Sequence, residues 1–191
     1  MKQRLVIFAS GSGSNAVNVV NYFSNNPKVE IVAVFCNVES AGVIPKMKEL
    51  DIPVVVFNKA QFKDENYFLD LLHQYQPSLI ALLGFLWKVP SYLVRTYPNK
   101  ILNLHPALLP KFGGKGMYGH FVHEAVKEAG EFETGITIHW VNEHYDEGKT
   151  IAQYRCEVLP NDNASDIAFK IHQLEQKFVP TTIEQVLNKE L

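Results

Sequence analysis

Two polar side chains stand at the end of a short apolar segment of this 191-residue chain. The segment, residues 101–105, has the sequence ILNLH and is followed by a proline. Side chains two positions apart on a strand point to the same face, about 7 Å apart, so we expect Asn103 and His105 to act together. A carboxamide that donates hydrogen bonds and an imidazole that exchanges protons suit chemistry at a carbonyl group. The alternative is a buried pair with structural hydrogen bonds only.

Two acidic residues further along the chain are candidates for charged partners. Asp146 lies in the polar turn 144–148, where an aspartate ordinarily bonds its own backbone, but a carboxylate there could approach His105 and raise its pKa. Glu175 lies four residues after Ile171 and three before Phe178, beside the apolar stripe of the last predicted helix. A carboxylate in that position needs a partner. It either reaches the helix edge or pairs with a cationic amine of a ligand.

A glycine-rich turn is the second feature that could do chemistry. Residues 10–15, SGSGSN, follow the first apolar run and open a helical segment, so their backbone N–H groups are expected to form an anion site that suits one phosphate. With Ala16 the turn also fits the G-x-G-x-x-A pattern of dinucleotide sites, but the second strand ends in Cys36-Asn37 without the expected acid. A single phosphate is therefore favoured over a dinucleotide and over a merely flexible tight turn.

The other histidines and the two cysteines give weaker signals. His120 and His123 lack a cysteine or acid at metal-ligand spacing, so we interpret them as surface or packing residues and predict no metal. His139 lies on a neighbouring predicted strand, where it could support the proposed centre. Cys36 and Cys156 have no CxxC spacing and are interpreted as reduced thiols.

Strands and helices must hold these residues, and the hydrophobic pattern predicts both. Apolar runs alternate with segments of helical period, which predicts an α/β fold with a doubly wound, mostly parallel, Rossmann-like sheet. After Gly135 two strands are joined by a polar turn alone, which predicts an antiparallel strand pair at one edge. The predicted strands are 4–9, 31–36, 54–57, 79–83, 101–105, 136–141 and 151–158, and the predicted helices are 15–23, 44–50, a stripe at 68–75, 91–97 and 165–187.

Length and composition predict a single domain over residues 1–191. A chain that is 47% hydrophobic can bury one sizeable core at this length. The net charge is −2 and the lysines and arginines are scattered, which speaks against a nucleic-acid surface. Only five residues separate Arg4 from Ser10, too few for a signal peptide or a membrane span. We therefore expect a cytoplasmic protein with small-molecule ligands and no nucleic-acid or membrane partner.

Five segments together resemble a known family. They are GSGSN at 11–15, GF at 84–85, NLHPALLP at 103–110, GITIH at 135–139 and DEG at 146–148. Over nearly its whole length the chain resembles the phosphoribosylglycinamide formyltransferases of the folate-dependent formyltransferase family. The resemblance implies that a formyl group moves from 10-formyltetrahydrofolate to the amine of 5-phosphoribosyl-glycinamide in de novo purine biosynthesis. It implies no metal, and we expect a monomer or a homodimer.

The resemblance also implies a role for each matching residue. Asn103 and a protonated His105 would face the oxyanion, and Asp146 would keep the imidazole charged. Many relatives have Met-Arg after Gly-Phe, whereas this chain has Leu-Trp-Lys. The implied substrate phosphate ligands are Gly13, Ser14 and Asn15, the amine ligand is Glu175, and the folate contacts are Leu86, Trp87, Lys88, Val89, Asn142, Glu143, His144, Tyr145 and Asp146.

Other functions stay open from the sequence alone. A methionyl-tRNA formyltransferase would share the catalytic half but normally adds a second domain, and a formyltetrahydrofolate hydrolase would carry an extra amino-terminal domain. From other classes, a non-catalytic nucleotide-binding module would keep the sheet and the phosphate loop, and an NAD-dependent oxidoreductase would use the glycine-rich turn for a dinucleotide.

Overall fold

Strands and helices alternate through most of the protein, whose computed structural model describes residues 2–191. The strands of this range are β1 (Gln3–Ala9), β2 (Val29–Cys36), β3 (Val54–Val56), β4 (Leu79–Leu82), β5 (Ile101–His105), β6 (Glu133–Trp140) and β7 (Thr150–Glu157). The helices are α1 (Ser14–Phe23), α2 (Val43–Glu49), α3 (Lys59–Lys63), α4 (Glu65–His73), α5 (Ser91–Thr96), α6 (His120–Glu128) and α7 (Ala164–Leu187).

The strands form one mixed sheet in the order β3-β2-β1-β4-β5-β6-β7. β1 pairs in parallel with β2 and β4, and β2 with β3, whereas β6 and β7 pair antiparallel at one edge. The predicted α/β fold with a mostly parallel sheet and an antiparallel edge pair is therefore confirmed.

The chain divides into two compact units at the peptide bond between Leu102 and Asn103, inside β5. The first unit is built on β1, whose residues Leu5 to Ala9 are at most 1% exposed. Strands buried on both faces need continuous apolar runs rather than alternation, and β1, β2 and β4 have them. Stacked and edge-on aromatic rings fill one side of this unit, namely Phe8, Phe35, Phe57, Phe62, Phe68, Phe85 and Trp87.

The second unit, Asn103–Leu191, is built from the end of β5, the β6–β7 pair, α6 and α7. The helix α7 contacts α6, β6 and β7. It begins with a capping box in which the Asn163 side chain accepts from the Asp166 N–H and the Asp166 carboxylate accepts from the Asn163 N–H, which satisfies backbone groups that a helix start leaves open. Ile167, Ile171 and Ile183 are at most 2% exposed, as the apolar stripe predicts.

Two helices were missed by the sequence interpretation. The five-residue α3 lies directly before α4, and α6 follows the glycine-rich loop 112–119. The N-cap of α6 is Gly119, which makes no side-chain capping bond, so no capping side chain marks the start of this helix.

No helix within residues 2–191 is both long and apolar enough to cross a bilayer. Cys36 and Cys156 are free thiols. That residues 1–191 form a single domain stays a prediction.

Candidate active site

The carboxylate of Asp146 lies at the centre of a polar cluster in the second unit. Its Oδ1 is 3.4 Å from Asn103 Nδ2 and 3.6 Å from His139 Nε2, and its Oδ2 is 3.6 Å from His105 Nδ1. Asn103 and His105 come from the end of β5, His139 from β6, and Asp146 from the turn after β6. The three residues predicted as catalytic are therefore brought together, and His139 joins them.

His139 holds the Asn103 carboxamide in one orientation. Its Nδ1 is 3.0 Å from the Trp140 carbonyl oxygen, which can only accept, so Nδ1 carries a proton, and in the tautomer with no proton on Nε2 that atom accepts. Asn103 Nδ2 is 3.1 Å from that Nε2 and also faces the Asp146 carboxylate, so both amide protons point at acceptors. His139 is 2% exposed. The sequence interpretation gave this residue only a supporting role without identifying its partner.

The glycine-rich loop contributes main-chain atoms to the same cluster. His105 Nε2 donates to the Phe112 carbonyl oxygen at 2.8 Å, and the Gly114 N–H donates to Asp146 Oδ2 at 2.9 Å. Between them, a Cβ at Gly113 would lie 3.3 Å from Asp146 Cβ and 2.6 Å from Leu109 Cδ2, so a larger residue there would displace the Leu109 side chain and press on Asp146. Because Nε2 of His105 carries a proton, the neutral ring presents an unprotonated Nδ1 to Asp146.

Burial controls the protonation of His105. Loss of solvation lowers the pKa of His105 below its usual value, although Asp146 and the Phe112 carbonyl both act to raise it. The carboxylate thus acts in the expected direction, but desolvation of the buried cation is the larger effect, so the pKa of His105 lies below its usual value. That a protonated His105 faces the oxyanion during the reaction stays a prediction.

The aspartate keeps its charge. Burial raises the pKa of Asp146, but the contacts with His139, with His105 and with the Gly114 N–H together bring it below its usual value. Near pH 7 the resting pair is therefore a carboxylate beside a neutral imidazole that has one free lone pair. A proton that arrives at Nδ1 is stabilised at once by Asp146.

A buried hydroxyl fixes the chain segment that follows β5. The Thr137 hydroxyl donates to the Ala107 carbonyl at 2.7 Å and accepts from the Leu109 N–H and from Gln153 Nε2, both at 3.0 Å. The same Gln153 amide donates to the Leu109 carbonyl at 2.9 Å. These bonds hold the chain between His105 and the loop that contacts it.

The predicted phosphate loop lies in the first unit, between β1 and α1. Gly13 has a φ of +74°, and a Cβ there would lie 2.8 Å from the Val43 Cα, so the turn requires glycine. Gly13 is also the N-cap of α1, and its carbonyl accepts from the Val17 N–H. Ser14 and Asn15 are the first residues of the helix, where open N–H groups attract anions.

The segments implied to contact folate lie in different units. In the first, the Leu86 N–H donates to Ser10 Oγ, and Trp87 packs on Phe57 and Phe62 with ring centroids 5.9 Å apart. Leu86 and Lys88 are exposed and Val89 is buried. In the second unit, residues 142–146 form the turn that carries Asp146, and the Asn142 side chain accepts from the His144 N–H. Glu143 and Tyr145 are exposed there.

Glu175 lies on α7 with its side chain only 14% exposed, and its Oε2 is 3.5 Å from His172 Nδ1. Its role as an amine ligand stays a prediction.

Of the weaker candidates, His120 is on the surface in a 2.9 Å pair with Glu124, and His123 is buried with its Nδ1 unpaired among the described residues. Residues 2–191 contain no cluster of His, Cys, Asp and Glu that could hold a metal ion.

The buried histidines make the fold sensitive to acid. Burial lowers the pKa of both His105 and His123, so the unfolded chain binds protons more readily once the pH falls below about 6.5. We expect the free energy of unfolding to fall between pH 7.5 and pH 5.5, and His123→Gln to reduce that slope. Urea unfolding at several pH values measures the free energy of unfolding. A free energy that rises on acidification would contradict the lowered pKa values of the two histidines. The contribution of Asp146 is lost only at lower pH, because its pKa is depressed.

Fold and site together define a class: an α/β protein with a carboxamide, two imidazoles and a carboxylate grouped at the carboxyl end of a sheet strand, where open α/β sheets bind ligands. This set of donors and proton carriers suits reactions of a carbonyl group. The family model for formyl transferases matches residues 3–183, and the chain belongs to the formyl transferase family.

Individual relatives agree with that assignment. The chain is 37% identical over 182 residues to the chloroplastic phosphoribosylglycinamide formyltransferase of Arabidopsis thaliana, covering 92% of this chain and 62% of that protein. It is 34% identical over 192 residues to the phosphoribosylglycinamide formyltransferase of Bacillus subtilis, covering 97% of this chain and 95% of that one. The crystal structure of glycinamide ribonucleotide transformylase 1 from Geobacillus kaustophilus superposes with a TM-score of 0.89 at 31% identity, covering 98% of this chain and 100% of that one. The chain thus spans about three fifths of the plant relative and nearly all of the bacterial ones.

Proposed function

We propose that this protein transfers the formyl group of 10-formyltetrahydrofolate to the amine of 5-phosphoribosyl-glycinamide, a step of de novo purine biosynthesis. The observation that carries the proposal is the Asn103, His105 and Asp146 cluster in a member of the formyl transferase family. Relatives named phosphoribosylglycinamide formyltransferase that match almost end to end support the choice of substrate.

In the proposed reaction the substrate amine attacks the formyl carbon and forms a new C–N bond. The carbonyl electron pair moves to oxygen, giving a tetrahedral species with an oxyanion and a positively charged nitrogen. Asn103 stabilises the oxyanion with one amide proton. The 3.4 Å contact with Asp146 is the longer of its two, so an oxyanion that lies nearer to this proton can take the place of Asp146 as its acceptor while the other proton stays on His139.

The proton path follows from the protonation states. Neutral His105 takes the proton from the positively charged nitrogen at its free Nδ1, directly or through one water, and Asp146 stabilises the imidazolium that forms. His105 then delivers this proton to N10 of the folate as the C–N10 bond breaks and the carbonyl re-forms. The products are the formamide and tetrahydrofolate, and no metal or covalent enzyme intermediate takes part.

The binding roles carry over from the family pattern. Gly13, Ser14 and Asn15 hold the substrate phosphate, and Glu175 holds the amine of the glycinamide. The folate contacts are the side chains and main chain of Leu86, Trp87, Lys88, Val89, Asn142, Glu143, His144, Tyr145 and Asp146.

One incubation tests the activity. The purified protein is mixed with 10-formyltetrahydrofolate and glycinamide ribotide, and mass spectrometry is used to look for the formylated ribotide. Product that depends on both substrates supports the proposal. Absence of this product would contradict the proposed activity. Formylation of methionyl-tRNA would then indicate the tRNA formyltransferase, and formate release from the folate would indicate the hydrolase. Binding of NAD without folate binding would indicate the oxidoreductase.

Glu175→Gln is expected to weaken glycinamide ribotide binding about tenfold, because a charged hydrogen bond to the ammonium is lost. Isothermal titration measures the Kd. Glu124→Gln is the matched control, since it removes the same charge from a His–Glu pair on α6. An unchanged Kd in Glu175→Gln would contradict a role of this residue in binding the amine.

We further propose that the protein acts in the cytoplasm on small molecules, as a monomer or homodimer and without nucleic-acid or membrane partners. Light scattering after size-exclusion chromatography decides between the two oligomeric states.

The prediction of a single domain over residues 1–191 is tested by the urea titrations described for the buried histidines. Trp87 and Trp140 lie one in each compact unit, so two separate fluorescence transitions would contradict one domain.

A further inference from the structure

The helix α2 holds the phosphate loop from one side. The Val43 N–H donates to the Gly11 carbonyl at 3.1 Å, and Lys46 Nζ donates to the Ser12 carbonyl at 2.8 Å. The side chain of Val43 also fills the space beside Gly13. Two successive carbonyl groups of the loop therefore point at α2.

The peptide plane fixes where the next N–H groups point. In a trans peptide the C=O and the following N–H point in opposite directions. Because the Gly11 and Ser12 carbonyls face α2, the N–H groups of Ser12 and Gly13 face away from it. These two N–H groups add to those that begin α1, so α2 determines which side of the loop attracts an anion.

Lys46 also places a positive charge next to this loop. Residues 10–24 contain no Lys, Arg, Asp or Glu, so neither the loop nor α1 supplies a formal positive charge. The Lys46 ammonium lies against the negative end of the Ser12–Gly13 peptide dipole, and its field strengthens the positive end on the opposite side. The interaction is partly screened, because the Lys46 side chain is exposed.

We propose that Lys46 is a positioning residue for the substrate phosphate: it orients and polarises the Ser12–Gly13 peptide from behind, without contacting the phosphate. This inference rests on the proposed function, because it needs a phosphate on the loop. It predicts that Lys46 contributes to phosphate recognition and not to folate binding.

The test compares four proteins: wild type, Lys46→Gln, Lys46→Arg and Lys48→Gln. Lys48 is the matched control, since it is an exposed lysine on the same helix whose loss changes the net charge equally. Isothermal titration gives the Kd values of glycinamide ribotide, of its unphosphorylated riboside and of 10-formyltetrahydrofolate. Thermal unfolding checks that each variant is folded.

Lys46→Gln is expected to raise the ribotide Kd about threefold, the size expected of an exposed charge that acts through a peptide dipole, and to leave the riboside and folate Kd values unchanged. Added NaCl should weaken ribotide binding less in this variant than in the wild type. Lys46→Arg, which can also donate to the Ser12 carbonyl, should restore most of the affinity, and Lys48→Gln should match the wild type.

Two outcomes overturn the inference in distinguishable ways. If wild type prefers the ribotide to the riboside and Lys46→Gln keeps the same preference, Lys46 has no part in phosphate recognition while the proposed function stands. If wild type itself shows no preference for the ribotide, the phosphate site of the proposed function fails as well.

Discussion

His105→Ala is expected to lower kcat about a thousandfold, within the range for loss of one acid–base catalyst. The variant loses the only group of the cluster that exchanges a proton at a free lone pair, Nδ1 facing Asp146 at 3.6 Å. Steady-state formation of formylated ribotide measures the effect. The KM values should change little, because the imidazole moves protons rather than binding either substrate.

The control for His105 is His120→Ala on the surface of α6, which should keep wild-type turnover. Asp146→Asn should also impair turnover strongly, because the amide no longer stabilises an imidazolium at Nδ1. Circular dichroism and folate titration establish that the variants are folded. Turnover within a few-fold of wild type in His105→Ala would remove the imidazole from the mechanism.

Asn103→Ala is expected to lower kcat by roughly a hundredfold to a thousandfold, the usual cost of removing one oxyanion donor. Asn103→Asp is the isosteric comparison. It should be at least as impaired, because it replaces the donor with a carboxylate beside Asp146 and His139. Equal turnover in wild type and Asn103→Ala would contradict the oxyanion role.

A second pair of variants separates orientation from donation at Asn103. His139→Gln can keep an acceptor near the Asn103 amide, whereas His139→Leu cannot. Turnover should therefore fall further in His139→Leu than in His139→Gln. If turnover falls by the same factor in both variants, the tautomer of His139 does not control the orientation of the Asn103 carboxamide.

Much of the fold could be predicted because buried strands and helices have distinct periods. β5 was placed at 101–105 as the structure has it, and its period of two correctly put Asn103 and His105 together. The helix α3 could have been found, because Asn58 and Gln61 form a capping box that stands in the sequence. The start of helix α6 has no capping side chain at Gly119 to mark it, although Val122, His123 and Val126 recur at helical spacing.

The chemistry of the site depended on distances that the sequence does not contain. Asp146 was found as a carboxylate near His105, but the pKa of His105 depends on how deeply both groups are buried. The orientation of His139 depends on the Trp140 carbonyl, next to a register irregularity between Ile138 and His139. No pattern of residue types in the sequence predicts this irregularity.

The loop that contacts the acid–base pair does so through the Phe112 carbonyl and the Gly114 N–H. Main-chain atoms are the same in every amino acid, so positions of 112–119 that do not need a positive φ can accept other side chains without losing either bond. Gly114, Gly116 and Gly119 are exceptions, because their φ angles of +97°, +94° and +54° would strain any side chain. Laboratory evolution of this protein could therefore diversify the neighbouring loop positions to alter substrate range while leaving proton transfer intact.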